Sequence, residues 1–288
     1  MENTARIYGN EIFFNFIEID YSEVKNNPNL IKDIQQEKLA GFITKNVFSL
    51  QEVEEIKTAL ANIPQEEKRI GPMAELFPLP FTSASDSGDR LNAYINKAAA
   101  LQKHRSAKAI DMLLTRFEQF FTAVGHPFEV QVTRLKNQGA ACAAGNFRSF
   151  FPNKGGFYVH CEYFIQKKAP FYYQLVEPLS QEGQLSYLVQ LQNSEVGGEL
   201  TLYNMLWKDI QDKEKQEDNE YVIDKSGKRI YLKDMKHFSV NAQPGDVVVF
   251  SGGPIWHRVE DILGTKPRIT YGGFLKFTAD GKGLRYWG

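Results

Sequence analysis

A chain of 288 residues with 42% hydrophobic and 13% aromatic residues has enough apolar side chain for a sizeable buried core. Its 34 basic and 35 acidic residues leave a formal charge of −1, which argues against nucleic acid as a partner, since that would need a basic stripe. No run is apolar enough to span a membrane, Met1 to Arg6 carries no secretory apolar core, and two cysteines are too few for a disulfide scaffold; a cytoplasmic protein is expected.

In chain order, the aromatic, partly alternating stretch Ile12 to Ile19 predicts an opening strand. Tyr21 to Val24 and Leu30 to Leu39 have helical spacing. Ser49 is an N-cap for a helix over Leu50 to Ile63, with Glu52 in capping-box position and Pro64 as its stop. Residues 71 to 90, rich in Pro, Ser, Phe and Gly, predict a long ordered loop, and Leu91 to Val124 one or two helices ending at Gly125. After His126-Pro127 the pattern changes to short runs rich in Val, Phe, Tyr and Leu. These are Phe128–Leu135, Asn146–Phe151, Gly156–Phe164, Leu185–Leu191, Gly198–Tyr203, Asp246–Phe250, Ile255–Ile262 and Arg268–Phe277. About eight strands at such spacing fit a jelly roll. The expected fold is therefore mainly β with flanking helices. A helical N-terminal part (1–127) supports a jelly-roll core (128–206 and 238–288) within one domain spanning 1–288. The charge-dense segment 207–237, with a hairpin-like turn at Lys225-Ser226-Gly227-Lys228, is an insertion over one end of the barrel and a candidate lid.

Residues two apart in a strand face the same way, so His160 and Glu162 are expected to point into the barrel and Cys161 out, into packing. A lone strand histidine is more often a packed core residue than a ligand. His257, in the strand after Val247–Phe250, changes the weighing: two histidines and one carboxylate are the ligand set of a non-haem Fe(II) oxygenase. His104, His126 and His237 fall in ordinary surface or loop contexts. Leu263-Gly264-Thr265-Lys266-Pro267 predicts a hairpin that pairs Arg268 with the strand of His257. That puts a guanidinium about 10 Å along from the metal, where the far carboxylate of a five-carbon keto diacid would lie. Thr270 adds a hydroxyl on the same face. The competing reading of Arg268 is a surface salt bridge with Glu260 or Asp261.

On these residues the chain resembles the Fe(II)/2-oxoglutarate-dependent dioxygenases of double-stranded β-helix (jelly-roll) fold. It is most similar to the carrier-independent halogenases of hapalindole-type alkaloid biosynthesis, the welwitindolinone and ambiguine enzymes. The resemblance runs from Ile17-Glu18-Ile19-Asp20 through Leu185-Ser186-Tyr187 and Val196-Gly197-Gly198-Glu199-Leu200. It is densest in Gly245-Asp246, Gly252-Gly253, His257-Arg258-Val259, Gly272-Gly273-Phe274-Leu275 and Tyr286-Trp287. It implies that His160 and His257 hold iron and that Arg268 anchors 2-oxoglutarate. Arg148, which has an arginine counterpart there, is implied to serve the cosubstrate or to act from behind the ligands. At one position the chain departs from those halogenases: they carry glycine, whose vacancy admits chloride, where Glu162 stands here.

With that position filled, the expectation is a hydroxylase acting on an unactivated aliphatic C–H bond of a hydrophobic or amphipathic small molecule. It would use Fe(II), 2-oxoglutarate and O2 and release succinate and CO2. A halogenase or desaturase on the same scaffold, and a non-catalytic jelly-roll module binding an acidic ligand, are the alternatives. Phe77, Phe81 and Phe164 are candidates for an aromatic substrate pocket, with core packing as the competing role of each.

Overall fold

Four consecutive buried residues, Val247 to Phe250, form a strand covered on both faces inside the large sheet. In the computed structural model, which describes residues 6–8, 15–81, 88–136, 139–163, 175–181, 183–210 and 220–288, the strands are as follows. The N-terminal part holds β1 (Arg6–Tyr8), β2 (Phe16–Asp20), β3 (Gly41–Lys45), β4 (Arg69–Ile70) and β5 (Ala74–Phe77). Then come β6 (Glu129–Val132), β7 (Asn146–Phe150), β8 (Phe157–His160), β9 (Leu185–Gln192), β10 (Val196–Gly197), β11 (Leu200–Leu206), β12 (Tyr221–Ile223) and β13 (Arg229–Tyr231). The last are β14 (His237–Val240), β15 (Val247–Phe250), β16 (Ile255–Val259), β17 (Ile262–Leu263), β18 (Arg268–Phe277) and β19 (Gly283–Trp287). The α-helices are α1 (Leu30–Gln35), α2 (Leu50–Ala61), α3 (Gly88–Lys103) and α4 (Lys108–Val124).

A large sheet runs β1-β2-β3-β15-β9-β18-β7-β5-β4, with β19 paired to β18 and to β6; a smaller sheet runs β14-β11-β16-β8. Alternation along the large sheet divides its side chains between two cores. Val247, Val249, Tyr187, Val189 and Tyr271 face the helices, where α4 presents Ile110, Leu113, Leu114, Phe117, Phe120, Phe121 and Val124 at helical spacing. Burying each such side chain is worth roughly 1.5–3 kcal/mol, which is what seats the helical layer. Val248, Phe250 and Leu188 face the other way and meet Leu200, Leu202, Leu206 and Ile255 of the small sheet. The cavity described below opens between these two sheets.

The capping box at Ser49 is present: its hydroxyl accepts from Glu52 N at 3.2 Å while the Glu52 carboxylate accepts from Ser49 N at 2.8 Å. α4 ends at Val124 with Gly125 N–H bonded to Phe121 O. The expected loop over 71–90 is instead the strand β5 and, from Gly88, the start of α3; residues 82–87 lie outside the described residues. β5 pairs with β7 at the edge of the large sheet, a long-range partner that local composition does not reveal.

Two expectations about topology need correction. β18 does not pair with the strand of His257: its partners are β7, β9 and β19, whereas β16 pairs with β8 and β11. The glycine-containing loop between Leu263 and Arg268 joins β17, which pairs with β10 in a separate two-stranded sheet, to β18 of the large sheet. The insertion, too, lies elsewhere than expected. Ile210, Val222 and Leu232 pack on Val159, Cys161, Tyr203, Met205 and Trp256, the outer face of the small sheet. The β12–β13 hairpin does turn where expected, held by Asp224 Oδ1, which accepts from Ser226 N and Lys228 N.

Candidate metal centre

β8 and β16 are antiparallel neighbours with His160 directly opposite His257, so the pleat sends both imidazoles into the space between the sheets. Their ring centroids are 4.3 Å apart and both residues are buried. Each ring is fixed from behind. His160 Nδ1 lies 2.8 Å from Tyr158 O, and His257 Nδ1 lies 2.8 Å from Ile255 O. A carbonyl only accepts, so both Nδ1 atoms carry the proton and both Nε2 atoms present a lone pair inward. Phe157 meets the His160 ring edge-on, and Phe250 does the same for His257.

Glu162 arrives by a different route from the one its spacing suggests. β8 stops at His160, and the helical residues Glu162 and Tyr163 bond through their amides to a glycine pair: Glu162 N to Gly252 O at 2.9 Å and Tyr163 N to Gly253 O at 3.2 Å. Only glycine fits at 252, because a Cβ there would lie 2.1 Å from Ser186 Oγ. That hydroxyl donates to Glu162 Oε1 at 3.3 Å. The carboxylate oxygen stands 3.9 Å from His160 Nε2 and 3.7 Å from His257 Nε2. Three potential ligand atoms thus converge, all within 4.8 Å of one another. The two carboxylate–imidazole separations are shorter than two bonds of roughly 2.1 Å to a divalent ion, so one cation placed between the three is what the arrangement fits.

The electrostatics agree with a metal site. Burial, reinforced by His257, pushes His160 down to about 3, so it is neutral and available as a ligand at neutral pH. Burial works to raise the Glu162 carboxyl, but His257, His160 and Arg148 outweigh it and hold the group below the usual carboxylate range.

Across the cavity, β18 contributes Arg268 and Thr270, both buried, and β7 contributes Arg148 opposite Thr270. Arg268 makes no surface salt bridge: Glu260 and Asp261 are held by Arg258, at 3.1 and 3.6 Å. Among the described residues no acceptor pairs with the Arg268 guanidinium, and burial followed by the charge of Arg148 lowers it to about 10, still cationic at neutral pH. Arg148 Nε donates to Asn146 Oδ1 at 2.8 Å; burial lowers this group as well, against the pull of Glu162.

The three donors and three polar residues of the opposite wall border one cavity of about 340 Å3, whose remaining lining is largely apolar, including Met73, Leu76, Phe150, Phe157 and Phe274. The segment expected to line it does so, but through other side chains. Phe77 stacks on Phe147 and Phe81 packs on Tyr94, both inside the hydrophobic core, because β5 alternates and turns Leu76 rather than Phe77 toward the cavity. Phe164 lies outside the described residues. The described residues of 207–237 are absent from the lining. Ser186 and Phe274 were missed, although the alternation of β9 and β18 places them in phase with Leu188 and Thr270.

The profile of the carrier-protein-independent halogenase WelO5 family matches residues 13–288. Among solved structures, an N-substituted L-amino acid dioxygenase from Burkholderia ambifaria AMMD is 15% identical, with 91% of each chain covered and a TM-score of 0.57. Its complex with alpha-KG gives 14%, the same coverage and 0.58. The alpha-ketoglutarate-dependent carbocyclase SnoK of nogalamycin biosynthesis is 13% identical over 86% of this chain and 83% of its own, with a TM-score of 0.50. At such identities these structures establish the shared fold. No curated protein sequence matches significantly. With nearly its whole length matched and the buried His-Glu-His set in place, the chain belongs to the WelO5 family of carrier-protein-independent halogenases, within the Fe(II)/2-oxoglutarate oxygenases.

Proposed function

We propose that this family member is a hydroxylase: an Fe(II)/2-oxoglutarate-dependent oxygenase acting on an unactivated aliphatic C–H bond of a hydrophobic or amphipathic small molecule. The observation that carries the reading is Glu162, an ionised carboxylate directed at the same point as His160 and His257. A third protein donor there takes the place that a halide would need. His160, Glu162 and His257 hold the iron; Arg268 and Thr270 receive the far carboxylate of 2-oxoglutarate, and Arg148 borders the same cavity.

Bound iron and 2-oxoglutarate supply the oxidising power, with O2 consumed and succinate and CO2 released. The protein supplies position and dryness. Apolar side chains keep water from the reacting carbon, and the backbone-anchored imidazoles need no reorganisation when the metal enters. Cys142 and Cys161, buried and not joined in a disulfide, suit the reducing cytoplasm in which we place the protein.

The test is turnover with Fe(II), O2 and labelled 2-oxoglutarate, following succinate and the product mass. One added oxygen, with no dependence on chloride, supports the hydroxylase. The family match favours halogenation as a second reading, and a chloride-dependent mass gain would establish it instead. Loss of two hydrogens would indicate a desaturase. Failure to form succinate under any condition would leave a binding module.

A further inference from the structure

The geometry points to Arg148 as the anchor for a carboxylate of the organic substrate, so that the substrate is an acid with an apolar body. This rests on the oxygenase reading and gives Arg148 a different task from serving the cosubstrate. In the register of β7 with β18, Phe150 stands opposite Arg268, Arg148 opposite Thr270 and Asn146 opposite Gly272. The bond from Arg148 Nε to Asn146 Oδ1 therefore leans the side chain away from the Arg268 row. Its guanidinium carbon lies 6.0 Å from the Phe274 ring centroid, and Phe274 pairs with Ser186, whose hydroxyl holds Glu162. Arg268 runs the other way, its Cδ lying 3.2 Å from where a Cβ of Gly198 would be. The two charged ends thus diverge, one toward the glycine turn and one toward the metal side of the cavity.

Charge decides what Arg148 is for. A ferrous ion, the Glu162 carboxylate, doubly charged 2-oxoglutarate and Arg268 cancel one another with the histidines neutral, and Arg148 is the cation left over. Among the described residues Asn146 is its hydrogen-bond acceptor, through Nε, and Arg148 lines the cavity. The Nδ2 of Asn146, in the same amide, also lacks an acceptor among the described residues. A guanidinium in a low-dielectric hollow is strongly destabilising unless paired, and its planar pair of donors matches a carboxylate. Met73, Leu76, Phe150, Phe157 and Phe274 surround the rest of the space and select an apolar remainder.

The experiment is equilibrium binding to the anaerobic protein loaded with Fe(II) and 2-oxoglutarate. Phenylacetate through 5-phenylpentanoate serve as probes, each compared with its primary amide. At least one acid should bind tenfold or more tighter than its amide without displacing 2-oxoglutarate. In Arg148→Gln that preference should fall to within twofold, with the Kd for 2-oxoglutarate changed by less than twofold. Arg148→Lys, which keeps charge but not the planar fork, should retain part of the preference and guards against misfolding of the first variant. Equal binding of acid and amide in the native protein, survival of the preference in Arg148→Gln, or displacement of 2-oxoglutarate by the acid would each overturn the inference. So would a tenfold loss of 2-oxoglutarate affinity in Arg148→Gln, which would make Arg148 a cosubstrate residue. If the native protein binds neither iron nor 2-oxoglutarate, the oxygenase reading itself fails before any probe is added and takes this inference with it.

Discussion

The inner face of the small sheet presents imidazoles, while the inner face of the large sheet opposite presents guanidinium groups, that of Arg268 buried and that of Arg148 half-buried. Both walls are built from antiparallel strands of similar burial, so secondary structure does not separate them. What differs is how each polar group is satisfied. The imidazoles are anchored through Nδ1 to carbonyls of their own strands and need only a cation at Nε2. The arginines have almost no protein partner and need anions. One wall is complete apart from a metal and the other is incomplete without ligands, so the walls should fail separately when they are damaged.

The largest effect should come from the metal wall. His257→Ala removes one of three donors and leaves Glu162 facing a single imidazole, so tight Fe(II) binding should be lost in anaerobic calorimetry, and succinate formation with it. The Kd for 2-oxoglutarate should also weaken, because its chelating end has lost its ion. Arg268→Gln attacks the other wall. Removing a buried charged partner costs about 2–4 kcal/mol, so the 2-oxoglutarate Kd should rise roughly a hundredfold while Fe(II) affinity stays near native. Equal loss of metal in that variant would show that the walls are one unit.

The parts of this site legible in the sequence follow the same division. His160 and His257 stood out because strand alternation and the rarity of histidine, five in the chain, are local facts. Glu162 is legible only if the strand continues past His160; β8 ends before it, and a glycine pair ninety residues away holds its amide and that of Tyr163. Arg268 is legible as a site residue but its strand partner is not, since a short loop with glycine joins strands of one sheet or of two with equal ease. Composition marks the segment of Phe77 and Phe81 as aromatic without stating its phase; β5, between β7 and the edge strand β4, sets that of Phe77 through pairing with β7. The helices and most of the strands were legible because their periods are internal to each segment.

Smaller perturbations test whether the metal wall depends on support from the opposite sheet. Ser186 sits on β9, yet its hydroxyl bonds Glu162. Ser186→Ala should weaken Fe(II) about tenfold, at the lower end of what loss of a ligand's hydrogen-bond partner costs, and leave the 2-oxoglutarate far carboxylate undisturbed. Acid probes the metal wall by a different means. The folded state holds His160 near 3 against 6.5 unfolded, so between those values only the unfolded chain takes up this proton. The stability this residue contributes is full above pH 6.5 and is lost as pH falls, by about 1.4 kcal/mol at pH 5.5. Urea unfolding of metal-free protein at pH 7.5 and 5.5 should show that loss, and His160→Asn should remove it. An unchanged pH slope in the variant would mean that His160 is not the neutral residue this geometry requires.

The least effect on the chemistry should follow from damage outside both walls. Ser49→Ala deletes the hydroxyl that accepts from Glu52 N and so opens the capping box at the start of α2. Glu52 also receives Arg116 of α4 at 2.9 Å, so the cap ties the two helices that cover the outer face of the large sheet. A lost N-cap costs about 1 kcal/mol, and the melting temperature should fall accordingly. Because the helices touch the face of the large sheet opposite to Arg268 and Thr270, the 2-oxoglutarate Kd should not move. If it did, the helical layer would be setting the position of the anion wall through the sheet, and the two faces of that sheet could no longer be treated as independent.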